Sequence, residues 1–218
     1  MERRKAIKNI GLSLGTVVAT PSILSLLQSC QSEAAAPWKP VFYTEDQGLF
    51  VRNLVDALLP PAGDLPGAID VNVHVFIDQY MKEVTSVDDK GPHRKTVELV
   101  MNELLKLENA TEIGNVDDTT YTKFLQENLT KSKEEHDKMM AQIYAHLSEN
   151  NGSVLGLDTK LVVYQLLHQM RGFAVWAYQR SEQIGENVLA YKSIPGEQRG
   201  CVDLEEATGG KAWALTFT

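Results

Sequence analysis

The chain has 218 residues, 43% hydrophobic and 23% charged, with a net charge of −8. That acidic balance argues against nucleic acid as a partner, because phosphates would be repelled. Two cysteines in a chain of this length exclude a disulfide-stapled scaffold.

In chain order, residues 1–29 read as a removable bacterial export signal. Arg3, Arg4 and Lys8 form a basic head, followed by an apolar run from Ile10 to Leu27. Arg3 and Arg4 suggest the twin-arginine address, with Ala6 and Ile7 where Phe and Leu are usual; a general secretory signal is the alternative. A retained transmembrane helix is the other alternative, but Gly11, Gly15, Thr16, Thr20 and Pro21 dilute the run. Leu27-Gln28-Ser29-Cys30 looks like a lipobox, in which Cys30 is acylated and becomes the mature first residue; an ordinary signal with a cysteine nearby is the alternative. On the lipobox reading the protein is a membrane-anchored periplasmic lipoprotein, each buried methylene adding about 0.8 kcal/mol. Residues 30–43 then form a tether rich in Ala, Ser and Pro. The first 29 residues hold four basic side chains and one acidic one, so the remaining 189 carry −11.

Residues 44–218 read as one all-α domain, an irregular helical bundle with a Pro/Gly-rich loop and a non-helical C-terminal tail. Thr44-Glu45-Asp46-Gln47 is a capping box, followed by Leu49, Phe50, Leu54, Ala57 and Leu58 on one helix face. Pro60-Pro61 ends that helix, and residues 60–67 are neither helix nor central strand. Asp70 is the expected cap of a second helix bearing Val73, Phe76, Ile77 and Tyr80. A third runs from about Arg94 to Leu107, and a short one carries Tyr121, Phe124 and Leu125. A charged helix over 131–148 has Met139, Met140, Ile143 and Leu147 as its stripe. Asp158 caps the longest helix, Leu161 to about Gln183, apolar on most sides and therefore central. After Tyr191 the pattern is loop, with an uncharged apolar tail beyond Lys211.

No dinucleotide, phosphate-loop, Cys-x-x-Cys or haem-attachment motif occurs. His74 and Asp78 share a helix face with Asp70 one turn earlier, which makes a metal-dependent enzyme a distant reading. Glu134, Glu135 and His136 read as solvated surface, His93 as a residue at a helix start without a visible partner, and His168 as a hydrogen-bonded core histidine. Cys201 reads as a buried small apolar residue, with a reactive thiol or a bond to a second subunit as the alternatives. Gly172, within a helix, implies close packing or contact, and Phe173 and Trp176 face together either as core or as a patch that a partner covers.

Three segments resemble the gluconate 2-dehydrogenase subunit 3 family. They are Ala57 to Pro60 through Asp64-Leu65-Pro66-Gly67-Ala68-Ile69-Asp70 to Asp78; Gly172-Phe173 with Ser181-Glu182, Ile184-Gly185 and Asn187 to Tyr191; and Ile194-Pro195-Gly196, Gly200-Cys201 and Gly210 to Trp213. The resemblance spans most of residues 44–214. It implies a non-catalytic small subunit with no cofactor or metal of its own. Such a subunit binds, stabilises and escorts for export an FAD-dependent sugar or polyol dehydrogenase of the glucose–methanol–choline (GMC) type. FAD would sit in that partner, and electrons would leave through a cytochrome c. The expected interface comprises Leu65, Pro66, Gly67, Phe173, Trp176, Pro195, Gly196 and Trp213, from apolar loops that are hard to bury within one bundle. The alternative is a free-standing lipid-anchored periplasmic binding module, with Trp38, Trp176 and Trp213 in a ligand cleft.

Overall fold

The computed structural model describes residues 38–194, 196 and 201–214. The expected signal, with Arg3, Arg4 and Cys30, lies outside them, as does Pro195. The chain divides into two units, Met1–Trp38 and Lys39–Thr218. Within the second, the described helices are α1 (Glu45–Leu58), α2 (Val73–Glu83), α3 (Val87–Glu108), α4 (Asp118–Leu129), α5 (Lys133–Glu149), α6 (Thr159–Arg180), α7 (Glu182–Asn187) and α8 (Leu204–Thr208), with a 3-10 turn at Ile113–Asn115. No strand occurs among the described residues; only isolated bridges join Ala62 to Leu65 and Ala190 to Trp213. The protein is all-α.

The capping box at Thr44 is fully formed, with the Thr44 hydroxyl accepting from the Gln47 N–H and the Gln47 side chain returning to the Thr44 N–H. That arrangement satisfies two donors a helix start would otherwise leave open. Periodicity then buries Phe50, Val51, Leu54 and Val55. The helix stops at Leu58, before the two prolines, as their missing N–H groups require.

Helix α6, capped by the Asp158 carboxylate, is central: it packs against α1, α2, α3, α4, α5 and α7. Its buried residues include Val162, Val163, Leu166, Leu167 and Met170 on successive turns, which is why its pattern is apolar on most sides. Of these, Val163, Leu166, Leu167 and Met170 meet Leu104, Ile77 and Tyr121 from the surrounding helices in one core. Burial of each such side chain contributes about 1.5–3 kcal/mol. Helix α5 is peripheral, packing chiefly on α6 with only Ile143 fully buried; Met139, Met140 and Leu147 are half-covered.

Several boundaries differ from the sequence pattern. Asp70 does not cap α2: its carboxylate accepts from the Gly67 N–H at 2.8 Å, and Asn72, in the left-handed region at φ 58°, precedes the helix. Helix α3 begins seven residues before Arg94, because Ser86 caps it by accepting from the Asp89 N–H at 3.2 Å. Gly91-Pro92 is thus carried inside the helix, on an exposed stretch where water can serve the carbonyl that Pro92 leaves unpaired. Helix α6 ends at Arg180, where Ser181 turns extended (ψ 143°) and its hydroxyl bonds the Tyr178 carbonyl, before α7 restarts the spiral. The tail contains the short helix α8, capped by Asp203 and closed by Gly209 at φ 61°.

The folded body reaches back beyond the capping box, to Val41. Asp78 is completely buried, and its Oδ2 accepts from the Val41 N–H at 2.6 Å. Its Oδ1 accepts from the Phe42 and Tyr43 N–H groups at 3.0 and 3.1 Å. Tyr43 Oη shares a 2.9 Å hydrogen bond with His93 Nε2, and the Arg94 guanidinium lies 4.5 Å over the Phe42 ring. The last three residues expected in the tether are therefore docked onto α2 and α3.

Candidate functional site

A groove lies between α2 and α6. Phe76 and Tyr80 lie one turn apart on the outer face of α2, while Val73, His74, Ile77, Asp78 and Met81 point inward. Phe173 and Trp176 project from α6 to meet them. Ring centroids are 5.2 Å apart for Phe76–Trp176, 5.1 Å for Tyr80–Phe173, 5.8 Å for Tyr80–Trp176 and 6.2 Å for Phe173–Trp176. In the last three pairs the steep interplanar angles place ring edges against ring faces, the arrangement an aromatic quadrupole favours, while Phe76–Trp176 is tilted at 53°. The Arg180 guanidinium sits 4.6 Å over the Trp176 ring, a cation–π contact one turn further along α6.

At its other end the groove deepens into a cleft of about 370 Å³. Tyr80, Met81 and Thr85 line one side, His93 closes the end, and Gln169, Met170, Gly172 and Phe173 form the α6 wall. Burial holds His93 below its ordinary pKa, so it is neutral near pH 7. A Cβ added at Gly172 would meet nothing within 4 Å. Gly172 therefore opens the cleft, and the close packing its position suggests is absent.

The proline-glycine loop is held more firmly than its composition implies. Tyr178 Oη donates to the Pro66 carbonyl at 2.6 Å, linking residues 112 apart in sequence. Ala68 N–H donates to the Leu59 carbonyl at 2.8 Å, and Ala68 is fully buried with Ile69 and Val71 against the core. The end of this loop, Gly67 and Ala68, is thus buried, while residues 60–65 are exposed. Gly67 is buried, and a Cβ there would lie 2.8 Å from Pro61 N and Cδ, so its role is steric. Pro66 is half-buried and Leu65 is 45% exposed at the loop tip.

In the tail, Trp213 is 48% exposed, with Lys192 Nζ 5.5 Å from its ring centre. The Ala190 N–H donates to the Ala212 carbonyl at 2.8 Å and the Ala214 N–H to the Ala190 carbonyl at 2.9 Å, which ties this strip to the end of α7. Gly196 is exposed at φ 73°. Cys201 is exposed rather than buried, because it lies in this surface strip and not on a helix face.

The titratable residues are committed elsewhere. The Asp78 oxygens hold backbone amides and Asp70 holds Gly67. His74 is buried, and that burial, reinforced by the nearby Arg52 charge and opposed by Asp78, pushes its pKa down to about 4. Among the described residues no group of three or more His, Cys, Asp or Glu is placed to hold a metal. His136 is not free surface: its Nδ1 shares a hydrogen bond with Tyr164 Oη, and its ring lies 5.3 Å from that of His168. His168 is half-buried, its pKa held down by desolvation, Arg171 and His136.

Of the expected interface residues, Phe173 and Trp176 share one surface, Leu65 and Pro66 lie at the loop tip, and Trp213 and Gly196 lie in the tail. Sequence reasoning missed Phe76, Tyr80 and Arg180. The usable signal was the pair of aromatics at i and i+4 on α2, which reads equally well as a core stripe.

A search of curated proteins and a search of solved structures each return no match. Among the described residues no helix is long and apolar enough to cross a membrane. A family model described as gluconate 2-dehydrogenase subunit 3 matches residues 45–196, which takes in α1 to α7 with the loop, the groove and the cleft. The chain belongs to the gluconate 2-dehydrogenase subunit 3 family.

Proposed function

We propose that this protein is the accessory subunit that binds, stabilises and escorts through export an FAD-dependent GMC-type dehydrogenase acting on a sugar or polyol. Family membership carries the reading, since the family is named for a subunit of a gluconate dehydrogenase. Flavin and substrate chemistry belong to the partner, and a cytochrome c is the onward electron acceptor. In this reading Arg3 and Arg4 address the folded complex to the twin-arginine route. Cys30 carries the lipid that holds the complex at the periplasmic face of a membrane.

Exposed apolar side chains support a partner-covered surface: Leu65 at the loop tip, the aromatic groove, and Ile194 and Trp213 in the tail. Such side chains are expensive to leave in water when they lie in contiguous patches. The test is to tag the C-terminus, express the chain in its native host and identify what leaves the membrane with it. A yellow flavoprotein in near-equal amount supports the subunit reading, and its activity names the substrate. A chain that leaves the membrane alone and colourless defeats it in favour of a free-standing binding module. Cys30→Ala should release the complex from the membrane, and Arg3→Lys with Arg4→Lys should leave both chains in the cytoplasm.

A further inference from the structure

The chain enters its folded body close to the turn between α2 and α3. Asp78, which receives the Val41 N–H, stands six residues before Val84, about 9 Å along α2 at helical rise. His93 and Arg94 of α3 close over Tyr43 and Phe42 from the other side. The Lys90 ammonium donates to the Lys82 carbonyl, which ties the two helices together beside their turn. Three valines at this end stand in water: Val41 at 51%, Val84 at 59% and Val87 at 84% exposure. One exposed valine is ordinary, but turns are normally built from Gly, Asn, Asp and Ser, and here two valines flank Thr85-Ser86. Lys39, Lys82, Arg94 and Lys95 are exposed on the same segments. Residues 39–43 and 82–95 set five bases against three acids, whereas residues 30–218 as a whole carry −11. Among the described residues the ion pairs fall elsewhere, at Lys106–Glu103 and Lys123–Glu127.

We propose that this end of the body, the α2–α3 turn with Val41 beside it, rests on the headgroup region of the bilayer that holds the Cys30 lipid. The length of chain outside the body names the occupant. Cys30 and Val41 are eleven residues apart. Any chain of that length spans at most about 36–40 Å, and a random coil of that length averages about 17–20 Å. A domain the size of residues 44–218 has a radius of gyration of about 16 Å. A leash this short keeps the end it joins nearest the membrane. The side chains there suit such a surface: valine methyls enter the headgroup boundary, lysine stems lie along it, and the ammonium groups meet lipid phosphates. Anionic lipid repels the acidic remainder of the chain, which favours the same orientation. The inference rests on the lipid-anchor part of the reading above and adds to it which face of the body meets the bilayer.

The test uses the mature lipidated chain purified from the membrane and reconstituted in vesicles of phosphatidylcholine mixed with phosphatidylglycerol. In a Cys201→Ser background, Val87→Cys takes a single nitroxide label. Tyr144→Cys is the control, 63% exposed on α5, which packs chiefly on α6. A water-soluble nickel chelate should reach the Val87 label several-fold less readily than the Tyr144 label. Lys82→Glu with Val84→Glu should restore access at Val87. Both side chains are exposed, so the unfolding midpoint and retention on the vesicles should not change. Equal access at Val87 and Tyr144, in a chain shown by mass spectrometry to carry its lipid, overturns the proposal and leaves the anchor standing. Protection of Val87 only after the co-purifying flavoprotein is added also overturns it and gives this end to the partner. If Cys30 carries no lipid, the anchor reading itself fails and the orientation falls with it.

Discussion

Replacing Asp78 should unfasten the start of the domain. Its carboxylate is fully buried and accepts three consecutive backbone N–H groups, those of Val41, Phe42 and Tyr43. A hydrogen bond to a charged group contributes about 1.5–3 kcal/mol, and a buried donor left unmatched costs about 1–3 kcal/mol. In Asp78→Ala the Val41 N–H can turn to water, since Val41 is exposed, but those of Phe42 and Tyr43 are stranded beneath buried rings. Removing the carboxylate also removes the cost of burying its charge, so the net loss should be about 2–4 kcal/mol. Asp78→Asn keeps an oxygen for Phe42 and Tyr43 and sets an amide N–H₂ against Val41, so about 1 kcal/mol is expected. Urea denaturation followed by tryptophan fluorescence and circular dichroism gives both numbers. Amide exchange should show Phe42 and Tyr43 protected in the parent and exposed in Asp78→Ala. An Asp78→Ala protein within about 0.5 kcal/mol of the parent, with those amides still protected, would refute the reasoning.

Three other expectations can be checked with the same purified chain. Gly67→Ala would drive a Cβ to 2.8 Å from backbone and ring atoms of Pro61, so it should cost more than about 2 kcal/mol, whereas Gly63→Ala, at φ 58° in open space, should cost about 1 kcal/mol. Tyr178→Phe deletes the 2.6 Å bond to the Pro66 carbonyl and should cost about 1 kcal/mol, with faster proteolysis confined to residues 60–67. Burial holds the His74 pKa down to about 4 in the folded protein, against its ordinary 6.5 when unfolded, so the unfolded state binds the extra proton between those values and stability falls as pH falls. By linkage the loss from His74 alone is about 2 kcal/mol between pH 7.5 and 5. Denaturation midpoints for the parent and His74→Gln at both pH values test it, and equal acid sensitivity in the two would count against the assignment.

What the amino-acid sequence determines here is whatever acts within a turn or two. Thr44 and Gln47 close their capping box three residues apart, Pro60-Pro61 stop α1 for want of N–H groups, and the apolar rows of α1, α4 and α6 declare the faces they bury. The family, too, is legible in the order of those segments. Where several local options compete, sequence alone misplaces the boundary: Ser86 caps α3 far upstream of the proline that looks like its start, and Asp70 turns back to Gly67. Tertiary structure alone decided the rest, because its contacts join residues that no periodicity relates. Asp78 reaches Val41 across 37 residues, His93 meets Tyr43 across 50, and Tyr178 meets Pro66 across 112. The groove is of the same kind. Phe76 and Tyr80 carry an i, i+4 pattern that fits a core, and only the crossing of α2 against α6 leaves that face outward, beside a glycine whose missing side chain keeps the cleft open.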